Sequence, residues 1–183
     1  DPQLALFDDV LMRLSDEIEV KARAKLAQAM ADTDKALPKL IRSLAFDDAI
    51  EVAGPVLSRS SQLSDADLVE NASTKSQEHL LAIAQRIQLS ELVTDVLVTR
   101  GDRRVLRTVA GNAGARLSLA GCDKLATHAR SDLALARAML RRSDLPRQFL
   151  LKLIENASAS VRVRLEADRA GAPTAITTAV NDV

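Results

Sequence analysis

The chain has 183 residues, 47% of them hydrophobic and 27% charged, with a formal net charge of zero. That balance is ordinary for a folded globular chain and excludes a disordered one. One cysteine rules out an internal disulfide and a cysteine-rich zinc site, and no apolar run approaches the roughly 18 residues that cross a bilayer.

The apolar content is mostly Leu, Ala, Val and Ile, with three Phe, no Trp and no Tyr, and there are only six Gly and five Pro. Helices are therefore expected, because sheets draw on aromatic residues and Gly-rich turns. A reducing cytoplasm is the expected setting, and the acidic N-terminus argues against a signal peptide and membrane insertion. The chain opens on Asp1 and Pro2 rather than Met, which points to a processed or trimmed chain with a further domain outside it.

In chain order, residues 1–36 predict one helix pair. Phe7, Val10, Leu11 and Leu14 share a face of the first helix, and Ile18, Ala22, Leu26 and Met30 share a face of the second. From residue 37 a period appears. Leu followed by Ser or Pro recurs at Leu37-Pro38, Leu63-Ser64, Leu89-Ser90, Leu117-Ser118 and Leu145-Pro146, in steps of 26, 26, 28 and 28 residues. Two further examples, Leu14-Ser15 and Leu57-Ser58, fall off the period. Ser accepts hydrogen bonds from the free amides of a first helical turn, Pro suits the first helical position, and the preceding Leu can staple the turn to the helix. Each periodic dipeptide thus predicts a helix start. Apolar faces follow, such as Leu40, Ile41 and Leu44; Leu92, Val93, Val96 and Leu97; and Phe149, Leu150, Leu153 and Ile154.

A second start signal lies 11 to 15 residues further on, at Asp48, Ser76, Asp102, Asp132 and Ser160. Its faces include Val52, Val56 and Leu57; Leu80, Ile83, Ala84 and Ile87; Val105, Leu106, Val109 and Ala110; Leu135, Ala136, Met139 and Leu140; and Val161 and Leu165. The pattern predicts about twelve helices. Helices this short cannot bury their apolar sides alone, and a compact bundle would use longer ones without a fixed period. The expected fold is all-α: a right-handed α-solenoid of about six short antiparallel helix pairs. Residues 1–170 form a single helical-repeat domain in this reading, with a terminal pair over 1–36 and five repeats from 37 to 170 starting near 37, 63, 89, 117 and 145. Residues 171–183 read as a tail.

The run Asp47-Asp48-Ala49-Ile50-Glu51-Val52-Ala53-Gly54-Pro55-Val56-Leu57, followed by Ser60 and Leu63, resembles a mostly alphaproteobacterial family of uncharacterised proteins with HEAT-like helical repeats. Residues 78–84, 93–97, 100–102, 112–115 and 144–146 match it too, so the resemblance covers about residues 4 to 170. It implies HEAT-like repeats and a bacterial cytoplasmic setting, and carries no catalytic residues.

Residues with chemical potential read as structural. His79 and His128 are 49 residues apart with no Cys at ligand spacing, and Cys122 has neither a base nor a resolving thiol beside it. Asp8-Asp9, Asp16-Glu17 and Asp47-Asp48 are expected at helix starts, where capping accounts for them. Gly54-Pro55 predicts a kink inside a helix, and Gly111, Gly114 and Gly121 read as helix ends. No catalytic residue, metal site or cofactor is expected, and the chain is not expected to be an enzyme.

The zero net charge conceals an asymmetry. Residues 1–98 carry 10 basic and 17 acidic residues, and residues 99–183 carry 15 basic and 8 acidic ones. Arg103, Arg104 and Arg107 fall on one second helix, Arg137 and Arg141 on the next, and Arg162 and Arg164 on the last, a candidate partner-binding ladder. The first functional reading is a scaffold for protein–protein interaction. The second is backbone-directed nucleic-acid binding through the Arg-rich half, with duplex favoured because aromatics for base stacking are missing. The third is salt-sensitive self-association of acidic and basic ends.

Overall fold

The computed structural model describes residues 2–17, 19–33, 37–156, 161 and 163. These contain eleven helices and no strand, apart from one isolated parallel bridge between Leu89 and Ala115. They are α1 (Pro2–Glu17), α2 (Val20–Met30), α3 (Pro38–Ala45), α4 (Ile50–Arg59), α5 (Asp65–Thr74), α6 (Gln77–Ala84), α7 (Glu91–Arg100), α8 (Arg103–Gly111), α9 (Leu119–Ala129), α10 (Leu133–Leu140) and α11 (Arg147–Asn156). Of the twelfth predicted helix, starting at Ser160, only Val161 and Val163 are described, both helical and Val161 buried; Leu165 and the tail over 171–183 lie outside the described residues.

Every periodic Leu-Ser or Leu-Pro dipeptide marks a helix start: α3, α5, α7, α9 and α11. Ser64 and Ser90 are N-caps whose hydroxyls accept from the amides of Asp67 and Val93, and Asp67 returns the bond to Ser64 N–H in a capping box. Ser118 accepts from the Gly121 amide, which sets Gly121 in the first turn of α9 rather than at a helix end. Pro38 occupies the first position of α3. Of the second signals, Asp102 and Asp132 cap α8 and α10 through backbone amides, and Ser76 is the N-cap of α6. Asp48 is not a cap. Ala49 is the N-cap residue of α4, its amide bonds Asp47 Oδ1, and Asp48 pairs with Lys75 instead.

Two compact units divide the chain, residues 1–121 and 122–183, with the boundary inside α9. In the first unit α2 touches α4, α4 touches α6 and α6 touches α8, while α1 touches α3 and α5 touches α7. The core comprises Leu40, Ile41 and Leu44 of α3; Val52, Val56 and Leu57 of α4; Leu80 and Ile83 of α6; Val93 and Leu97 of α7; and Val105, Leu106 and Val109 of α8. At ~1.5–3 kcal/mol per buried side chain, these faces dominate stability. Pro55 lies inside α4, where it withdraws one amide from the helical ladder. Gly before it avoids the clash that a Cβ would make with the proline ring in helical conformation.

Side-chain hydrogen bonds between different helices in this unit have a regular sequence separation. Asn71 to Ala45 O spans 26 residues, Arg104 to Glu78 26, Asn112 to Ala84 O 28, Arg42 to Asp67 and Glu70 25 and 28, and His79 to Asp47 O 32. All but the last lie within a residue or so of one period. Many serve the C-terminal carbonyls that a helix cannot satisfy itself. Asn71 donates to the end of α3, Arg100 to Ala72 O near the end of α5, Arg86 to Leu57 O and Ser60 O at the end of α4, and Asn112 to Ala84 O and Arg86 O at the end of α6. The ends of α3, α4, α5 and α6 are thus capped from one period further along the chain.

The second unit buries Leu125, Leu135, Met139, Phe149 and Leu153. Lys152 of α11 pairs with Asp123 of α9, and Arg142 forks onto Asp144 at 2.9 and 2.6 Å.

Four expectations are corrected. Asp8-Asp9 lies within α1 and Asp16-Glu17 at its end, so neither pair starts a helix. Asp8 is buried and caps α3 from outside, accepting from the amides of Lys39 and Leu40 at 3.0 and 2.9 Å. It supplies the oxygen that the N-cap residue Leu37 lacks. Phe7, Val10 and Leu14 face outward, since the side of α1 that meets its neighbour carries Asp8 and Ser15. Ile87 lies beyond the end of α6 and is 88% exposed, and Leu92 at the start of α7 is also exposed. Gly114 sits in the loop after α8, beside Ile87.

Candidate partner-binding surface

The arginines of α8 owe their direction to the helix's apolar face. Val105, Leu106, Val109 and Ala110 are buried, which turns Arg103, Arg104 and Arg107 outward. The helix starts where it does because Asp102 Oδ1 accepts from the amides of Arg104 and Val105 at 2.8 and 3.0 Å. The Asp102 amide in turn donates to Gln77 Oε1, and Gln77 Nε2 donates to Arg100 O, so the α7–α8 turn is held by a side chain one period earlier.

Arg104 is already engaged. Its guanidinium donates to Glu78 at 2.7 Å and contacts Asp102 at 3.3 Å, and these carboxylates hold its pKa above the ordinary value. Arg103 and Arg107 are exposed four residues apart, one helical turn, which presents two guanidinium forks on one side of α8. In the second unit Arg137 is half-buried in the last turn of α10, and Arg141 is the exposed C-cap residue of that helix. Arg162 and Arg164 lie outside the described residues.

The Val105 amide bond, with Arg104 after it, holds the Asp102 carboxyl below the ordinary carboxylate range. A depressed folded-state pKa contributes stability that is present above the unfolded value, about 4, and is lost as pH falls through the folded value. Asp102→Ala is expected to cost about 1 kcal/mol at pH 7. The difference from the parent should narrow by pH 3, as read from urea unfolding at both pH values.

A cleft in the first unit is not announced by the sequence. The C-terminal ends of α2, α4 and α6 border an open cleft of about 570 Å³ lined by Asp32, Ser58, Arg59, Ser61, Gln85, Arg86, Ile87 and Gln88. Arg59 pairs with Asp32 at 3.1 Å, and Arg86 donates to Leu57 O and Ser60 O, both at 2.7 Å. Burial pulls the Arg86 pKa down. The available signal was that Asp32, Arg59 and Arg86 each stand 27 residues apart.

The remaining reactive side chains are placed by packing. His79 is buried, with Nε2 2.9 Å from Asp47 O and Nδ1 2.8 Å from Ser76 Oγ, so it joins the start of α6 to the turn before α4. Arg23 reaches the same turn, at 2.7 Å from Asp47 Oδ2. His128 is exposed and Cys122 is buried. No group of three His, Cys, Asp or Glu among the described residues could hold a metal ion.

A model of the bacterial family described as uncharacterised protein conserved in bacteria (DUF2336) matches residues 52–183. The chain belongs to this family. The DUF2336 segment begins inside α4 and includes α8 and α10, whereas α1 to α3 precede it. Arg103, Arg104, Arg107, Arg137 and Arg141 therefore all lie within the family segment. No curated protein and no solved structure matches the chain. No described helix is long and apolar enough to cross a membrane.

Proposed function

We infer that this chain is a non-enzymatic scaffold for protein–protein interaction, built as a right-handed solenoid of HEAT-like antiparallel helix pairs and acting in the bacterial cytoplasm. The observation that carries the reading is the regular separation of the inter-helix bonds: each helix of the first unit is held by side chains about one period away, as expected of a chain that stacks like units. Such a stack offers a long open surface. Arg103 and Arg107 supply its anchor, two exposed forks matched to a carboxylate-bearing segment of a partner.

Duplex binding is the second reading, because 15 basic residues face 8 acidic ones over residues 99–183. Recovery of partners from lysate of the source bacterium, with and without nuclease, compares the parent with Arg103→Glu/Arg107→Glu. A protein retained after nuclease and lost in the charge reversal supports the scaffold. Recovery that disappears with nuclease, together with parent binding to a labelled duplex that weakens steeply with salt, replaces it with nucleic-acid binding.

A further inference from the structure

The outward side of α1 carries Leu6, Phe7, Val10 and Leu14, which are 66, 53, 46 and 52% exposed. Elsewhere in the described first unit the exposed large apolar residues stand nearly singly, as at Ile87 and Leu92. The opposite side of α1 is anchored, because Asp8 is buried and bonded to the first amides of α3. The stripe is thus turned away from its own unit. A contiguous apolar stripe on an exposed helix side marks an interaction site.

We propose that this stripe is a dimer interface, occupied by α1 of a second copy packed antiparallel about a two-fold axis. Two features of α1 select that occupant. First, Phe7, Val10 and Leu14 complement themselves in reverse, with Leu6 at the edge of the contact. Turning the helix about a point between Val10 and Leu11 lays Phe7 over the second copy's Leu14 and brings the two Val10 residues together beside the axis. A self-complementary patch is what a closed two-fold contact requires. Second, the charges fit the same reversal. Arg13 is exposed, and Asp9 lies one turn before it on the same flank, with a carboxylate that already holds Lys39. The reversal sets Arg13 of each copy beside Asp9 of the other, twice per interface.

A helix of 16 residues is about 24 Å long, so its stripe falls short of the roughly 800 Å² per partner of a standard interface, and the dimer is a dissociating one. Sedimentation velocity of this 183-residue chain is expected to show a dimer at about 100 µM and a monomer at about 1 µM. Val10→Glu/Leu14→Glu changes exposed positions only and should give a monomer at both concentrations, with helical content and melting unchanged. Arg13→Glu should weaken dimerisation about tenfold, the size of two lost surface charge pairs. Val10→Cys should form a disulfide-linked dimer on mild oxidation, while Cys122, being buried, should not. A parent that is monomeric at about 100 µM overturns the proposal, as does a dimer that survives Val10→Glu/Leu14→Glu. Either result assigns the stripe to a different occupant.

Discussion

Replacing Gly114 with Ala is expected to lower stability by at least about 3 kcal/mol, one of the largest effects of a single methyl group in this chain. A Cβ at this position would lie 1.7 Å from Ile87 O and 2.9 Å from its carbonyl carbon, both backbone atoms that no rotamer change can remove. Nor can the loop withdraw freely. Gly114 O accepts from Leu89 N at 3.0 Å, Leu89 O accepts from Arg116 N at 2.9 Å, and Gly114 N is held by Asn112 Oδ1 at 2.9 Å. Relieving the clash means breaking the bridge that joins the loop after α8 to the turn before α7. At ~2–4 °C per kcal/mol for a chain of this size, the melting temperature should fall by roughly 6–12 °C. Gly111→Ala is the control. A Cβ there meets nothing within 4 Å, and Ala at the end of α8 should gain a few tenths to about 1 kcal/mol. Thermal melts of the two variants should move in opposite directions.

Arg86→Met is the second large effect, with an expected loss of about 2–4 kcal/mol. The guanidinium gives one hydrogen bond to Leu57 O and one to Ser60 O, both 2.7 Å, and each charge-assisted bond to a carbonyl is worth about 1.5–3 kcal/mol before solvent screening of a half-buried group. Met keeps the apolar stem and removes both donors, so the end of α4 loses its partner from the turn after α6. Arg86→Lys retains charge but not the fork, and should lose roughly half as much. Urea unfolding measures the cost. Hydrogen exchange should show it concentrated at the ends of α4 and α6, the backbone that the Arg86 bonds join.

Much of the fold was legible in short sequence. The five Leu-Ser and Leu-Pro dipeptides mark α3, α5, α7, α9 and α11 because capping is local: a hydroxyl two or three residues from an amide, or a ring that presets φ, works in any tertiary setting. Asp102 and Asp132 were readable for the same reason. The α8 surface was partly readable, since burying Val105, Leu106, Val109 and Ala110 leaves one direction for Arg103 and Arg107.

What failed needed knowledge of neighbours. Asp8 reads in sequence as one of an acidic pair, but its role is to cap α3 across 31 and 32 residues, a bond that exists only once α1 packs on α3. The apolar stripe of α1 has helical periodicity and was expected inside. It faces out because Asp8 and Ser15, not the leucines, meet the adjoining helix. Likewise Arg59 and Arg86 carry the period in their numbers, yet only the packing of α4 beside α6 sets them along a shared cleft.

By itself the sequence determined the all-α class and where most helices begin, because each of these rests on interactions within one or two turns. The tertiary structure alone decided which side of each helix is covered, which carboxylates cap a distant amide, and which arginines are spent on carbonyls rather than left facing outward. Those outcomes depend on groups about one period away in the chain, and local pattern contains no term for them.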